Sequence, residues 1–317
     1  MVSFWWVNHK QTLSQEISGG YLWSPKRERN GNRSQYYEFM RQARPGDRIV
    51  SFAKAQIAHA GVISGFPICA PQPDEFGAIG NNWATEGWYV PVSWDAISMP
   101  FRPKDYIDRI RPYLPEKYSP IQSNGNGNQK AYLTQISLPF TRLLAELGGF
   151  EANAILNSDD YVDSRTLIEG IEDRVEKAIA GDASIDDTQR SSLILARRGQ
   201  GKFRKDVEAI EPSCRISGLH DKRLLIASHI KPWRVCSDAT ERLDGSNGLL
   251  LAPHADKLFD IGLISFDKDG SVLISDTLDK DSREALNLQD AIQNGVGEFS
   301  DAQGQYLKFH REEIFLG

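Results

Sequence analysis

The sequence predicts an α+β fold in which a strand-rich first half is joined by a helical segment to a second half built as strand, loop, strand and helix. Three observations lead to this prediction. Short β-rich runs interrupted by Gly and Pro fill residues 1–150, an apolar stripe of helical period runs through residues 151–196, and two apolar runs lead into a proline-started helix within residues 197–317. The 317 residues are enough for two domains with separate cores.

The composition is that of an ordinary soluble protein, with 40% hydrophobic and 25% charged residues. No apolar run approaches the roughly 20 residues that a membrane span needs, and the first residues lack the basic and apolar regions of a signal peptide. The three cysteines, Cys69, Cys214 and Cys236, are scattered without a Cys-x-x-Cys pair. This spacing predicts a cytoplasmic protein without disulfides or structural zinc.

Charge is distributed unevenly along the chain. The net charge of −6 is not typical of a nucleic-acid-binding protein, but residues 197–234 hold ten Lys or Arg against four acids. A basic surface of this kind would attract the phosphates of DNA. The alternative is a solvated surface without a binding role.

The first half is predicted to form a small, partly closed barrel of six strands with one or two short helices. Aromatic and β-branched runs, turn residues and a capping serine mark its elements. In chain order, we expect a strand at residues 3–8, a helix at 34–41, a hairpin at 48–53 and 57–64, a loop at 65–82, and strands at 87–94 and 131–136.

Several rings of the first half stand where loops meet strands. Trp23 and Pro25 belong to Trp-Ser-Pro-Lys, Trp83 follows Gly-Asn-Asn, and Tyr132 opens a strand after a polar loop. Flat rings in such positions can stack on an extruded base, although most Trp and Tyr residues fill cores. Three polar side chains could reach the Watson–Crick edge of that base: Asn81, Asn82 and Gln129.

Three stretches of the first half together resemble an EVE domain: Phe-Trp-Trp-Val-Asn, Gly-Gly-Tyr-Leu-Trp-Ser-Pro-Lys and Arg-Pro-Gly-Asp-Arg-Ile-Val-Ser-Phe. EVE domains are PUA-like barrels related to YTH and SRA readers. The resemblance implies a domain that holds an extruded modified base in an aromatic and apolar pocket. Pro25 is a candidate for the apolar surface facing a methyl group on that base.

The connecting segment is predicted to contain helices at residues 164–180 and 188–197, separated by a polar break. Its acids form a negative side: Asp159, Asp160, Asp163, Glu169, Glu172, Asp173 and Glu176. A solvated helix accounts for this pattern. The alternative is that the segment lies over the basic surface of the second half and restrains it.

The second half brings together residue types suited to phosphodiester hydrolysis. His229 ends an apolar strand, and a neutral imidazole can act as a base that activates water. A helix starting at Pro253 and ending before Gly262 puts Asp256 and Asp260 at i and i+4 on one face. Carboxylates at this spacing suit a hard cation such as Mg²⁺.

The motifs Ala-Ser-His-Ile-x-Pro-Trp, Asn-Gly-Leu-Leu-Leu and Leu-Phe-Asp-x-Gly-Leu-Ile-Ser-Phe resemble an HNH nuclease of the ββα-metal type. The resemblance implies one Mg²⁺ or Mn²⁺ per site. The roles it implies are general base for His229, brace of the catalytic loop for Asn247, and metal ligands for Asp256 and Asp260.

The sequence departs from that family pattern at two positions. Ser228 stands where many relatives have Asp or His as a further ligand, and Asp256 stands where many have His. His254 is the nearby alternative ligand, but two residues along a helix it points away from Asp256, which we therefore prefer.

The segment before the HNH motifs, Arg-Arg-Gly-Gln-Gly-Lys-Phe-Arg-Lys, resembles the lead-in of many HNH nucleases. Arg198, Gln200 and Arg204 are candidates for contacts to DNA phosphates, or for anchoring the segment to the ββα core. The polar tail at residues 276–317 is expected to end in an apolar strand near residues 313–316.

Together the two resemblances imply a modification-dependent DNA endonuclease of the type IV restriction kind. Its reader at residues 1–150 would flip a 5-methyl- or 5-hydroxymethylcytosine out of double-stranded DNA, a linker would span 151–196, and an HNH domain at 197–317 would cut with a divalent metal. A homodimer is the assembly expected for double-strand cutting. The alternatives are a reader of modified RNA or of DNA structure, and an inactive DNA-binding regulator.

Overall fold

A computed structural model describes residues 2–153, 156 and 160–317, with the side chains of Asn81 and Asn82 excepted. The proposed base-edge contacts of these two asparagines, and the acid Asp159, therefore lie outside the described residues. Contacts divide the chain into two units, Met1–Ser164 and Arg165–Gly317. In the part of the chain that is described, no helix combines the length and apolar character needed to cross a membrane.

The first unit is built on one seven-stranded mixed sheet. Its strands are β1 (Phe4–Asn8), β2 (Tyr21–Pro25), β3 (Arg48–Ala53), β4 (Gln56–Ile63), β5 (Ile68–Pro71), β6 (Glu86–Phe101) and β7 (Leu133–Ile136). The pairing order is β2-β6-β4-β3-β1-β7, and β5 also pairs with β6. Only the β1–β3 pair is parallel among these described strands. The predicted α+β class with a partly closed barrel is confirmed.

Three of these strands differ from the prediction. β2 was not predicted as a strand, and its pairing with the long strand β6 holds it in place. β6 runs for 16 residues, and its first half pairs with both β2 and β5 while its second half pairs with β4. β5 lies within the predicted loop at 65–82. It has only 4 residues, too few to show the alternation by which a strand is recognised in sequence.

Among the described residues of this unit, four α-helices accompany the sheet: α1 (Leu13–Gly19), α2 (Gln35–Gln42), α3 (Ile107–Ile110) and α4 (Leu138–Gly148). α2 is the predicted helix, and α4 begins where the Ser137 hydroxyl accepts a hydrogen bond from the amide of Phe140. Phe140 packs with Trp6, Val50 and Ile97 in a buried core. The sheet and α4 thus enclose the apolar centre of this unit.

The second unit is mainly helical around two short hairpins. Its helices are α5 (Ser164–Gly181), α6 (Asp187–Arg197), α7 (Gly201–Ile210), α8 (Ala239–Leu243), α9 (Pro253–Asp260), α10 (Lys280–Ala285), α11 (Gln289–Asn294) and α12 (Asp301–Glu313). Its strands are β8 (Ile226–His229), β9 (Gly248–Leu251), β10 (Ile264–Phe266) and β11 (Val272–Ile274), paired antiparallel as β8–β9 and β10–β11.

The two helices expected between the halves contribute to the core of the second unit. Ile179 of α5 and Leu193 of α6 belong to the same buried cluster as Phe203, Phe259 and Leu307. Removing α5 and α6 would therefore expose apolar surface of this unit. The segment is part of the packed structure that surrounds the HNH motifs.

The expected strand near residues 313–316 is wrong. Glu313 ends α12, which starts with a reciprocal capping box between Ser300 and Gln303. The residues after it form no strand, although Leu316 is buried and donates its amide hydrogen to the carbonyl of Gly262 at 2.8 Å. These residues are apolar because the segment is buried. A buried irregular segment and a buried strand can have equally apolar sequences, so the sequence did not distinguish them.

Candidate active site and aromatic cavity

The β8–β9 hairpin and α9 place the predicted catalytic residues around one cavity. His229 pairs with Gly248 at the end of the hairpin, and α9 starts two residues after β9 ends. The cavity has a volume of about 210 Å³. Its lining includes Ser228, His229, Asp256 and Asp260 from these elements, Arg198 from the α6–α7 turn, and Arg165, Glu169 and Glu172 from α5.

The ring of His229 is held by two contacts, and the hydrogen bond among them determines its tautomer. It stacks on Phe203 with ring centroids 3.9 Å apart and planes 5° apart, and its Nε2 lies 3.0 Å from the carbonyl oxygen of Arg242. Because a carbonyl only accepts, Nε2 must carry the proton, which leaves Nδ1 as the basic nitrogen. Burial lowers the pKa of His229 to about 4, so the ring is neutral at physiological pH.

Asn247 ties together the loop that follows His229. Its fully buried side chain accepts from the amide of Lys231 at 2.8 Å and donates to the carbonyl oxygens of Lys231 at 3.2 Å and Glu241 at 3.0 Å. The adjacent amide of Ile230 bonds the carbonyl of Asn247 itself at 3.0 Å. This geometry suits the bracing role that the sequence predicted, which remains a prediction.

α9 presents Asp256 and His254 to different surfaces. Asp256 is buried in the cavity with His229, whereas His254 lines a separate groove with His220 and Leu224. Burial raises the pKa of Asp256 to about 6, and the nearby charge of Asp260 acts in the same direction. The helical register therefore favours Asp256 over His254 as the residue that faces the base.

Asp260 lies in the cavity beside a buried arginine. The guanidinium of Arg234, with 1% of its side chain exposed, lies 3.5 Å from Asp260 and 3.4 Å from Glu172 of α5. Burial raises the pKa of Glu172, although the arginines beside it oppose that shift. The predicted ligand Asp260 thus already has an internal cationic partner.

The residues present fit a hard divalent cation. Asp256 and Asp260 supply carboxylate oxygens at one cavity. A cation there would offset their mutual repulsion, which adds to burial in raising the pKa of Asp256. Mg²⁺ is commonly held by one or two carboxylates together with water and substrate phosphate. Within the described residues, no three His, Cys, Asp or Glu side chains are grouped so as to hold a metal by themselves.

The three predicted phosphate contacts occupy different environments. Arg198 lines the cavity with 59% of its side chain exposed, and Gln200 is an exposed residue at the start of α7. Arg204 donates to the carbonyl oxygens of Leu225 at 3.0 Å and Lys222 at 2.6 Å. This geometry favours phosphate contact for Arg198 and anchoring for Arg204.

Sequence reasoning missed Phe203 and Arg165, and it left open whether the acidic side of α5 lies over the second half. Phe203, which supports the His229 ring, lies within the Gly-Lys-Phe-Arg lead-in but carries no signal of its own there. Arg165, Glu169 and Glu172 of α5 follow i, i+4 and i+7 spacing, which would have placed them on one helix face. That spacing does not indicate what the face contacts.

The four predicted rings of the first unit line a single cavity of about 280 Å³: Trp23, Pro25, Trp83 and Tyr132. Trp23 is 2% exposed and packs on Phe76, while Trp83 is half-buried, with its ring centroid 6.2 Å from that of Trp23 and the planes 34° apart. Trp23 therefore forms a fixed wall of this aromatic cavity, and Trp83 forms its more accessible wall.

Tyr132, which lines the aromatic cavity, is held by a buried carboxylate. Its hydroxyl donates to Glu16 at 2.5 Å, and Glu16 also accepts from the amide of Trp23 at 2.7 Å. Burial raises the pKa of Tyr132 well above its usual range. Gln129, in contrast, lines a neighbouring open groove rather than this cavity.

Residues 214–267 match the model of a family described as HNH endonuclease. These residues form an HNH endonuclease domain. The HNH domain includes His229, Asn247, Asp256 and Asp260, so the predicted HNH resemblance is confirmed. α5 and the end of α6 precede the matched residues although they line the same cavity. Among proteins of curated function, none matches the chain.

Several solved structures are similar to about half of this chain. Rpa0253 from Rhodopseudomonas palustris has 16% identity and a TM-score of 0.32, covering 47% of this chain and 94% of its own. Human THYN1, solved with DNA containing 5-methylcytosine, has 13% identity and a TM-score of 0.30, and the match covers 47% of this chain and 99% of THYN1. The YTH domain of Zygosaccharomyces rouxii MRB1, solved with N6-methyladenosine RNA, has 9% identity and a TM-score of 0.31. That match covers 50% of this chain and 94% of the YTH chain.

Proposed function

We propose that this protein is a modification-dependent DNA endonuclease of the type IV restriction kind. The first unit would read a 5-methyl- or 5-hydroxymethylcytosine in double-stranded DNA, and the HNH domain would cut the phosphodiester backbone. The proposal is supported by the presence of two different cavities in one chain. One lies in the HNH domain and is lined by His229, Asp256 and Asp260, and the other is the aromatic cavity lined by Trp23 and Trp83.

In the proposed reaction, His229 acts as the general base. Nδ1 takes a proton from the attacking water, while Nε2 keeps its own proton and donates it in a hydrogen bond to the carbonyl oxygen of Arg242. That hydrogen bond becomes charge-assisted when the ring turns into an imidazolium, so it stabilises the product of proton transfer. Stacking on Phe203 limits rotation of the His229 ring, so Nδ1 keeps one orientation.

Asp256 and Asp260 would hold the Mg²⁺ or Mn²⁺ of this site. A bound divalent cation supplies positive charge to the phosphate and to the leaving oxygen. Asn247 would keep the loop after His229 closed, because its amide bonds both Lys231 and Glu241. Cutting both strands at one position would use two copies of the site, as in a homodimer.

In the proposed reader, a flipped base would enter the aromatic cavity and stack on the accessible ring of Trp83. Pro25 would offer apolar surface to a group at C5 of a cytosine. Burying one methyl there contributes on the order of 1 kcal/mol. The expected preference for a methylated base from this contact alone is therefore modest, roughly five-fold.

A comparison of substrates tests the function. With Mg²⁺ or Mn²⁺, we expect duplexes that carry 5-methyl- or 5-hydroxymethylcytosine to be cut faster than the same unmodified duplex. Modified RNA of matched sequence should remain intact. Equal cleavage of modified and unmodified DNA contradicts the reader role, cleavage of RNA alone indicates an RNA reader, and binding without any cleavage indicates a regulator.

Replacing Trp83 or Tyr132 by alanine should weaken binding to modified DNA by about 5- to 150-fold, because stacking on one aromatic ring contributes roughly 1–3 kcal/mol per base. Non-specific binding should change little, since phosphate contacts dominate it. Titrations of modified and unmodified duplexes in the His229→Ala background measure both affinities without cleavage.

The matched controls are Trp83→Phe, which keeps a ring, and Tyr132→Phe, which keeps the ring but loses the hydrogen bond to Glu16. Both should retain most of the preference for modified DNA. Equal affinity of the unsubstituted protein for both duplexes would end the reader hypothesis and leave a nuclease with an accessory domain.

A further inference from the structure

We propose that an open groove beside the aromatic cavity binds the phosphodiester backbone of the DNA strand whose extruded nucleotide enters that cavity. The groove has a volume of about 680 Å³ and belongs to the first unit. This inference rests on the proposed reader function, because it assigns a surface to the strand that the reader would hold. The groove differs from the aromatic cavity in its chemistry, which is that of charge rather than of stacking.

The groove and the aromatic cavity share one side. Five residues line both of them: Lys10, Pro25, Tyr37, Trp83 and Lys130. Trp83, the ring on which a flipped base would stack, is therefore also a wall of the groove. Because a single sugar connects a base to its flanking phosphates, a base held in the cavity would bring those phosphates to the groove.

The lining of the groove is basic. It contains four cations, Lys10, Arg27, Arg29 and Lys130, and one acid, Glu28, whereas the described residues that line the aromatic cavity include no Asp or Glu. The whole chain, in contrast, has a net charge of −6. The positive charge of the groove is therefore a local feature, and it is complementary to the phosphates of DNA.

Two of these cations are not balanced by a carboxylate. In the part of the chain that the structure describes, the exposed side chains of Arg29 and Lys130 form no ion pair. Lys10 donates a hydrogen bond to the carbonyl oxygen of Gln129, which carries no net charge. Arg27 has other interactions. Arg29 and Lys130 are thus the two cations of the groove best able to bind an incoming phosphate.

The second unit offers much less available charge than its sequence suggests. Of the ten Lys and Arg in residues 197–234, nine form ion pairs with carboxylates, and Lys205 is the exception within the described residues. A cation beside a carboxylate attracts a phosphate less strongly, because the two charges partly cancel. The basic surface predicted from the sequence is therefore largely offset within the protein, whereas the groove of the first unit keeps unpaired cations.

The dependence of DNA binding on salt tests the groove. In the full chain carrying His229→Ala, which prevents cleavage, we expect Arg29→Ala and Lys130→Ala each to reduce the slope of log affinity against log salt by about 1. Counterion release then gives a loss of about five-fold in affinity per contact at physiological salt. Modified and unmodified duplexes should lose affinity by the same factor, because a phosphate contact carries no information about the base.

The matched controls are Arg102→Ala and Lys117→Ala. They remove exposed cations of the same unit that line neither the groove nor the aromatic cavity. Both should leave the slope unchanged, and thermal unfolding should be the same for all four variants because the replaced side chains are exposed. An unchanged slope in both Arg29→Ala and Lys130→Ala overturns the inference.

A neutral phosphate shows where the backbone lies. A methylphosphonate, which removes one phosphate charge, is placed either next to the modified cytosine or one helical turn away. Next to the modified cytosine, it should weaken binding by the His229→Ala protein about five-fold, but it should cost the variant that also lacks Arg29 and Lys130 little more. Equal further losses in both proteins would mean that these cations contact other phosphates, which contradicts the inference. At the distant position, the two proteins should respond alike.

The outcomes also distinguish the groove from the reader function. If modified and unmodified DNA bind equally but Arg29→Ala and Lys130→Ala still reduce the slope, the reader function fails and the groove remains a phosphate-binding surface. If modified DNA is preferred and neither substitution changes the slope, the reader function stands and the groove has no such role. Binding of RNA without any binding of DNA contradicts both.

Discussion

Replacing His229 by alanine should abolish cleavage while leaving the binding of modified DNA intact. His229 is the only histidine lining the described HNH cavity, and its Nδ1 is the basic nitrogen because Nε2 donates to Arg242. Loss of a general base typically slows a reaction by about 10²–10⁴-fold. Cleavage rates and duplex affinities, measured on the same preparation, separate the two effects.

The control for this substitution is His220→Ala, which removes a histidine of the same domain that lines the separate groove with His254. It should cut at close to the rate of the unsubstituted protein. Near-normal cleavage by His229→Ala would show that another group activates the water, and the assignment of His229 would be wrong. Loss of both cleavage and binding would instead indicate a damaged fold.

Asp256→Ala should lose metal-dependent cleavage, whereas His254→Ala should keep most of it. The reason is the register of α9, which turns Asp256 into the cavity and His254 into the other groove. Replacing a residue that only hydrogen-bonds a metal ligand commonly costs about 10- to 100-fold in affinity or activity, so removing a ligand should cost at least about 100-fold. Cleavage rates over a series of Mg²⁺ and Mn²⁺ concentrations, with calorimetric binding of Mn²⁺, test this.

The two substitutions are matched because they lie on one helix turn and each removes one polar side chain. Should His254→Ala lose activity while Asp256→Ala keeps it, the helix register in solution must differ from the one described. If both retain activity, the cation is held elsewhere or the chemistry does not depend on these side chains.

The HNH site could be predicted from sequence because its parts are close along the chain. A short hairpin and a proline-started helix bring His229, Asn247 and Asp256 together within 28 residues, and each step has a local signal. The aromatic cavity could be predicted only in part. Trp23 and Tyr132 meet through Glu16, which bonds both of them, although β2 and β7 stand at opposite ends of the strand order. No local pattern in the sequence records this contact.

The sequence by itself predicted the α+β class, the grouping of His229 with Asp256 and Asp260, and four residues that line the aromatic cavity. Only the tertiary structure decided that α5 belongs to the wall of the catalytic cavity, that Phe203 supports His229, and that Glu16 holds Tyr132. The physical reason is the range of the interactions. Strand and helix signals arise from neighbouring residues, whereas the contacts made by Arg165 and Glu16 join residues about 90 to 116 positions apart.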